Sequence, residues 1–263
     1  MRLLGIRLAA GICALTWLIL PGFGLIDLGV TWNSDWPVVL EGGWALNMSV
    51  LIGGPFLALA LRPQRAVPAA VTLLVALGAM VISAAAGLEW HLLGYTGLLG
   101  IEAAGVGALL RRAPDRERLR PVRWSVRPPL MAVAALGLLP WLLYAVAMYR
   151  SNRADLGPAL SDITFGVDHY AVQGALAVSL ATLAVLAAWW PRGRRFIGLS
   201  VGLCAGYLGL VSFAFPDSWA GFGPVWSALC IAWGLAVAAL SIPPARLQPA
   251  ELVGEVVEAE RTL

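Results

Sequence analysis

The chain has 263 residues, of which 60% are apolar and only 13% are charged, with a net charge of +3. A soluble domain carries about 25% charged residues, and the apolar residues here form blocks close to the length of about 20 residues that crosses a bilayer. The composition therefore excludes a soluble globular enzyme. Because the backbone must satisfy its own hydrogen bonds in lipid, it predicts an all-α, multi-pass membrane protein.

The apolar blocks predict about eight spanning helices. The first block follows Arg2 and Arg7, as in a signal peptide, but it has no small-x-small cleavage site, and Pro21-Gly22-Phe23-Gly24 leads into more apolar sequence. We therefore interpret it as an uncleaved span. The eight expected spans are residues 3–26, 37–61, 68–88, 91–110, 129–149, 167–190, 195–215 and 222–241.

The cationic residues predict the orientation of these spans. All 18 of them are Arg, and only Arg150 and Arg153 lie on one side, which leaves 16 on the other. Because cytoplasmic loops are enriched in Arg and Lys, we expect the Arg-rich side and both termini in the cytoplasm. The absence of Lys and the abundance of Ala, Gly and Pro are typical of a high-GC bacterium, so we expect a bacterial plasma membrane.

A polar, basic segment divides the chain into two possible four-helix halves. Trp36–Gly43 resembles Asp168–Ala175, and Glu89–Gly97 resembles Asp217–Pro224, which suggests a tandem repeat with both halves in the same orientation. A similarity of composition alone is the alternative interpretation. The expected divisions are a first half at 1–110, a linker at 111–128, a second half at 129–241 and a cytoplasmic tail at 242–263.

The segment from Arg111 to Arg127 carries seven of the arginines. Its main expected role is to fix the topology, and anionic lipid headgroups are a possible partner, since a basic segment beside a membrane attracts them. We expect no nucleic-acid partner.

Acidic residues, both histidines and half of the tryptophans collect on the side opposite the Arg-rich loops. Tryptophans at helix ends are typical of the membrane interface, and a carboxylate at a helix start, such as Asp35 or Asp168, is also explained as an N-cap. Any site is nevertheless expected on this outer half. The acidic residues there are Asp27, Asp35, Glu41, Glu89, Asp155, Asp162, Asp168 and Asp217.

Two glutamates lie inside expected spans. Glu102 is 11 residues beyond His91, which places it roughly 16 Å into its helix, near the middle of a hydrocarbon core about 30 Å thick. An ionised carboxyl group there must be paired, protonated or hydrated, so function is the preferred interpretation and a hydrogen bond between helices is the alternative. Glu41 lies about one turn inside the outer boundary, beside Gly42 and Gly43.

The run Asp168-His169-Tyr170 with Gln173 is a third candidate. His169 and Gln173 are four residues apart and share a helix face, and a histidine beside a carboxylate is a suitable proton carrier near neutral pH. With Glu89 and His91 these residues could form a metal site rich in oxygen and nitrogen. The spacing is not diagnostic of any metal, so an interfacial hydrogen-bond cluster is the preferred interpretation.

Several chemistries are excluded or disfavoured. Without Lys the chain cannot form a retinal Schiff base, and Cys13, Cys204 and Cys230 lie in different spans with no CxxC pair. The sequence has no GxSxG, HExxH, GxxxxGK[ST] or DDxxD motif. We therefore expect neither a cofactor nor a bound metal.

Three functions remain open. The first is a small permease or a carrier of lipids or small molecules, with an outward-facing acidic cavity lined by Glu41, Glu102, Asp168, His169 and Gln173, in which Glu102 gains and loses a proton. The second is an intramembrane enzyme at the outer leaflet that uses His169 with Asp168 or Glu89 as acid and base. The third is a non-catalytic subunit of an envelope complex.

Overall fold

The computed structural model describes residues 2–30, 32, 36–112, 124–156 and 164–243. It is 81% helix, and the described residues contain no strand. Within these described ranges, seven helices are long and apolar enough to cross a membrane, so the chain is a multi-pass helical membrane protein. The helices are α1 (Arg2–Leu18), α2 (Gly24–Val30), α3 (Val38–Leu46), α4 (Gly54–Leu61), α5 (Ala66–Gly87), α6 (Leu92–Arg111), α7 (Pro128–Arg153), α8 (His169–Trp189), α9 (Arg194–Ala214) and α10 (Pro224–Ser241).

The first expected span is corrected by the structure, because residues 3–26 do not form one helix. α1 ends at Leu18, and the chain turns through Pro21 and Gly22 before α2 begins. Pro21 has no N–H to continue the helix and disfavours helical backbone at the residue before it. α1 is apolar but shorter than the seven spanning helices, which correspond to the other seven expected spans.

The second span contains a wide turn that the sequence pattern did not predict. α3 and α4 are joined by a π-helix, Asn47–Gly53, and all three form one apolar stretch, Val38–Leu61. π-helical turns are rare and are frequent at functional sites. Pro55, the second residue of α4, lacks the N–H that an ordinary helix would use there.

α8 is the central helix of the bundle. Most of its length is buried, whereas less than a third of α6, α7 and α10 is buried, which leaves much of their surface available to lipid. α8 packs against α3, α5, α7 and α9. The polar side chains in the first two turns of α8 therefore lie among helices from before and after the basic segment, α3 and α5 on one side and α7 and α9 on the other.

Candidate functional site

One end of the bundle collects most of the described acidic residues. α3 and α8 begin there, α5 and α7 end there, and the contacts of Asn152 connect three of these four ends. Its Nδ2 donates to Gly87 O at 3.3 Å, and its Oδ1 accepts from Ala171 N at 3.1 Å. Arg153 Nε also donates to Ala86 O at 2.7 Å. We call this the acid-rich end, and these bonds fix the start of α8 within it.

Glu41 and His169 face each other between α3 and α8. Glu41 Oε1 lies 3.7 Å from His169 Nδ1, and the two residues are only 4% and 2% exposed. That distance is too long for a direct hydrogen bond. Neither ring nitrogen of His169 has a hydrogen-bond partner among the described residues. The histidine is therefore buried beside a carboxyl group, with both of its polar atoms open to a further partner.

Trp44 holds the His169 ring in place. The two rings stack with centroids 4.6 Å apart and planes at 20°. The Trp44 indole is itself fixed, because its Nε1 donates to Gly22 O at 2.9 Å and the Tyr95 ring packs edge-on against it at 5.3 Å. The turn at Gly22, which interrupts the first expected span, thus supports the site.

Gln173 lies one turn further along α8 and approaches the α3 backbone closely. Its Nε2 donates to Tyr144 Oη at 2.8 Å, and Tyr144 Oη donates to Ala220 O at 2.8 Å. Gln173 Oε1 has no hydrogen-bond partner among the described residues, and a methyl group at Gly43 would overlap it. Only glycine at position 43 leaves room for this oxygen.

Asn47 continues the same face of the second span. It follows Gly43 by four residues, the spacing that places two side chains on one helix face. It is fully buried, and neither its Oδ1 nor its Nδ2 has a partner within the part of the chain that the structure describes. We call Glu41, Asn47, His169 and Gln173 the α3–α8 cluster.

In the α3–α8 cluster, the hydrogen-bond acceptors without a partner outnumber the donors without a partner. Its open acceptors are the Glu41 carboxyl group, Gln173 Oε1, Asn47 Oδ1 and one ring nitrogen of His169, against one imidazole N–H and the Asn47 amide. A buried polar group without a partner costs about 1–3 kcal/mol. A ligand with several N–H donors or a positive charge would therefore complement the cluster. No three His, Cys, Asp or Glu side chains in the described ranges are grouped as a metal site requires.

Asp27 on α2 adds a second carboxyl group near Glu41. It is half-buried and close enough to both Glu41 and Tyr95 for electrostatic interaction. Burial raises the pKa of Asp27 to about 7. This acid was expected only as one of the outer group, and its position beside Glu41 depends on the fold.

Glu89 and His91 form a separate pair at the rim. His91 Nδ1 lies 3.0 Å from Glu89 Oε1, which also accepts from the His91 backbone N–H at 3.2 Å. The His91 side chain is 68% exposed. Its ring packs against Gly166, whose φ of +86° favours glycine. This pair is accessible, whereas the Glu41–His169 pair is not.

Asp168 acts on the backbone of α8. Its Oδ1 accepts from Tyr170 N at 3.0 Å, so it is the N-cap. Burial raises the pKa of its carboxyl group, the Tyr170 hydrogen bond opposes this, and nearby Glu89 and Asp155 add to the increase. The carboxyl group within ion-pair distance of His169 belongs to Glu41.

Glu102 lies outside the α3–α8 cluster. Its Oε2 accepts from Trp17 Nε1 at 2.5 Å between α1 and α6, and the side chain is half-buried. Trp17 packs against Tyr95, with centroids 6.1 Å apart, and Tyr95 packs against Trp44. Three aromatic rings therefore connect Glu102 with His169. The structure brings Glu41, His169 and Gln173 together, pairs Glu89 with His91, and gives Glu102 a partner of its own.

Two contributors were missed by sequence reasoning. Asn47 is an uncharged amide within an apolar run, so it does not stand out beside the charged residues of the sequence. Tyr144 belongs to the middle of α7, where nothing in the local sequence indicates that it meets Gln173. Asp35 and Asp162, also on the expected outer side, lie outside the described residues.

No family model matches the sequence, and no curated protein and no solved structure is significantly similar to it. Any function must therefore be inferred from the residues of the site.

Proposed function

We propose that the chain is a small permease for a cationic, proton-coupled solute, with the α3–α8 cluster as its binding site. The observation that carries this proposal is that three buried polar residues, Asn47, His169 and Gln173, have hydrogen-bonding atoms without a partner among the described residues, and that the buried Glu41 carboxyl group lies 3.7 Å from His169. A purely structural cluster would be expected to satisfy its own polar groups. Open groups in a buried cluster instead favour a site that a solute fills.

The packing of the helices supports a tandem repeat. In each half the first helix packs against the second, the third against the fourth, and the first against the fourth. The second helices, which contain the cluster, pack against each other across the halves. In transporters with parallel repeats the solute site lies between the repeats.

The distribution of arginine supports an orientation with the acid-rich end outside a bacterial plasma membrane and both termini inside. In that orientation the cluster lies in the outer half of the membrane. Anionic lipid headgroups at Arg111–Arg127 remain part of the proposal, although residues 113–123 lie outside the described residues.

The chemistry of the cluster favours a small cation. Glu41 supplies a carboxyl group, and Gln173 and Asn47 supply carbonyl oxygens. A guanidinium or ammonium group would satisfy several acceptors at once. A neutral solute could not balance the negative charge that Glu41 acquires when a proton leaves the site.

Transport by proteoliposomes tests the proposal. Vesicles loaded with pyranine, a pH indicator, receive methylguanidinium, tetramethylammonium or the neutral solute acetamide. We expect at least one of the cations to change the internal pH in vesicles with the wild-type protein, and acetamide to have no effect. Glu41→Gln should abolish the change and Glu102→Gln should retain it. Equal responses from protein-free vesicles, or from Glu41→Gln, would contradict the proposal.

A second candidate function, an enzyme at the outer leaflet, is supported by one observation. Glu89 and His91 lie 3.0 Å apart at the rim and His91 is exposed, a geometry suited to acid–base chemistry on a lipid headgroup. It is tested by incubating the protein with mixed phospholipids and following the headgroups by mass spectrometry. Loss of product in His91→Asn, with none lost in His169→Asn, would favour this candidate.

A further inference from the structure

The Glu41–His169 pair is almost completely enclosed by protein. Two N–H donors beside it are engaged elsewhere, since Trp44 Nε1 donates to Gly22 O and Gln173 Nε2 donates to Tyr144 Oη. Among the described residues, His169 is the only basic side chain within ion-pair distance of Glu41. Any charge on the pair must therefore be balanced mainly within the pair.

The other titratable groups nearby are mostly neutral side chains on the helices packed around the pair. α5 contributes none, and Arg153 of α7 bonds to the α5 backbone. Among the described residues, Asp27 is the one further acid that interacts with Glu41, and it makes an additional negative charge less favourable. The groups are Asp27 on α2, Tyr95 on α6, Tyr144 and Tyr149 on α7, Asp168 at the N-cap of α8, Tyr170 on α8, and Cys204 and Tyr207 on α9.

The pair has three possible proton contents. With no proton it carries a net charge of −1, with two it carries +1, and with one it is neutral. An uncompensated charge inside a protein costs several kcal/mol, whereas a neutral pair avoids that cost whichever partner carries the proton. Because both Glu41 and His169 are buried, the state of the pair with a single proton is favoured.

We propose that Glu41 and His169 together form a binding site for one proton, which the pair holds at neutral pH. The one-proton site itself does not depend on the proposed function; only its role in cation exchange rests on that proposal. A monovalent cation that binds at Glu41 restores neutrality when the proton leaves, so the carboxylate gains the cation and solvent gains the proton. The site then exchanges one proton for one cation.

Because the chain has only two histidines, the proton content can be counted directly. In a His91→Asn background, which removes the exposed histidine, ¹⁵N-histidine NMR reports on His169 alone. A neutral imidazole gives two widely separated nitrogen signals and an imidazolium gives two close ones. Infrared difference spectra against Glu41→Gln show whether Glu41 is a carboxylic acid or a carboxylate. Glu41→Asp, which keeps the acid and shifts its band, provides the assignment if Glu41→Gln does not fold.

The four combinations at about pH 7 decide the proposal. A carboxylic acid with neutral imidazole, or a carboxylate with imidazolium, gives one proton and supports it. A carboxylate with neutral imidazole, or a carboxylic acid with imidazolium, overturns it. Glu102→Gln, which changes the half-buried glutamate of α6, should leave both His169 signals unchanged. The count is made without solute, so failure of transport and failure of the one-proton site are separate results.

Discussion

Replacement of Gly43 by Ala tests the contact on which the α3–α8 cluster depends. The added methyl group would overlap Gln173 Oε1, so the Gln173 side chain must move and its bond to Tyr144 must lengthen or break. Overpacking of a buried site costs about 1–3 kcal/mol, and the lost hydrogen bond costs about 0.5–1.5 kcal/mol. Alanine returns about 1 kcal/mol of helix propensity. We therefore expect a net loss of about 1–3 kcal/mol in the free energy of unfolding.

The assay is reversible unfolding of the purified protein in mixed micelles, followed by circular dichroism. Gly78→Ala on α5 is the matched control, because a methyl group there meets no atom within 4 Å, and it should not destabilise the protein. In a Gln173→Ala background the overlap is gone, so Gly43→Ala should then cost less than about 0.5 kcal/mol. If Gly43→Ala behaves like Gly78→Ala, or if its cost is unchanged in the Gln173→Ala background, the described approach of α8 to α3 is wrong.

Three further predictions concern neighbouring groups. The pKa of Asp27 is about 7 in the folded protein and about 3.9 in an unfolded chain. The folded state therefore binds its proton more tightly, and stability should fall as the pH rises from about 4 to about 7. The melting temperature should fall less across that range in Asp27→Asn than in the wild-type protein, and an equal fall would exclude Asp27 as the cause. Asn152→Ala removes the bonds to Gly87 and Ala171 and should cost about 1–3 kcal/mol by the same unfolding assay; a neutral effect would show that the start of α8 is held by other contacts. Glu102→Gln leaves an acceptor for Trp17 N–H, whereas Glu102→Leu removes it. The fluorescence of Trp17, obtained by subtracting the spectrum of Trp17→Phe, should therefore keep its emission maximum in Glu102→Gln and shift in Glu102→Leu. The same spectrum for both Glu102 variants would argue against this hydrogen bond.

The fold class could be predicted because the bilayer allows few solutions. Long apolar stretches must be helices, so the seven long helices follow from the positions of polar and proline-containing segments. The prediction of one helix over residues 3–26 was wrong for a local reason. Pro21 and Gly22 interrupt the helix inside an apolar stretch, and mean hydropathy does not change at such a break. The π-helix was missed because its residues, mostly apolar with Asn47 and Ser49 among them, have no pattern that distinguishes a π-turn from an α-turn.

The site was predictable as a set of residues but not as a set of contacts. Glu41, His169 and Gln173 stand out as polar groups near the start of apolar helices, and the N-cap role of Asp168 follows from its position. That His169 faces Glu41, instead of the adjacent Asp168, depends on which helices are neighbours and how they are rotated. The depth of Glu102 could be estimated from the sequence, but its partner Trp17, 85 residues away, could not.

Because of the π-helix at Asn47–Gly53, the two ends of one span pack against different sets of helices. α3, before it, packs against α2, α8 and α9, whereas α4, after it, packs against α1 and α5. One residue in an α-helix corresponds to a rotation of about 100°, so a change of the turn from π to α would rotate Glu41 and Gly43 relative to Phe56 and Leu59. The orientation of the candidate site relative to the rest of its own helix is thus set by the hydrogen-bond spacing of seven residues.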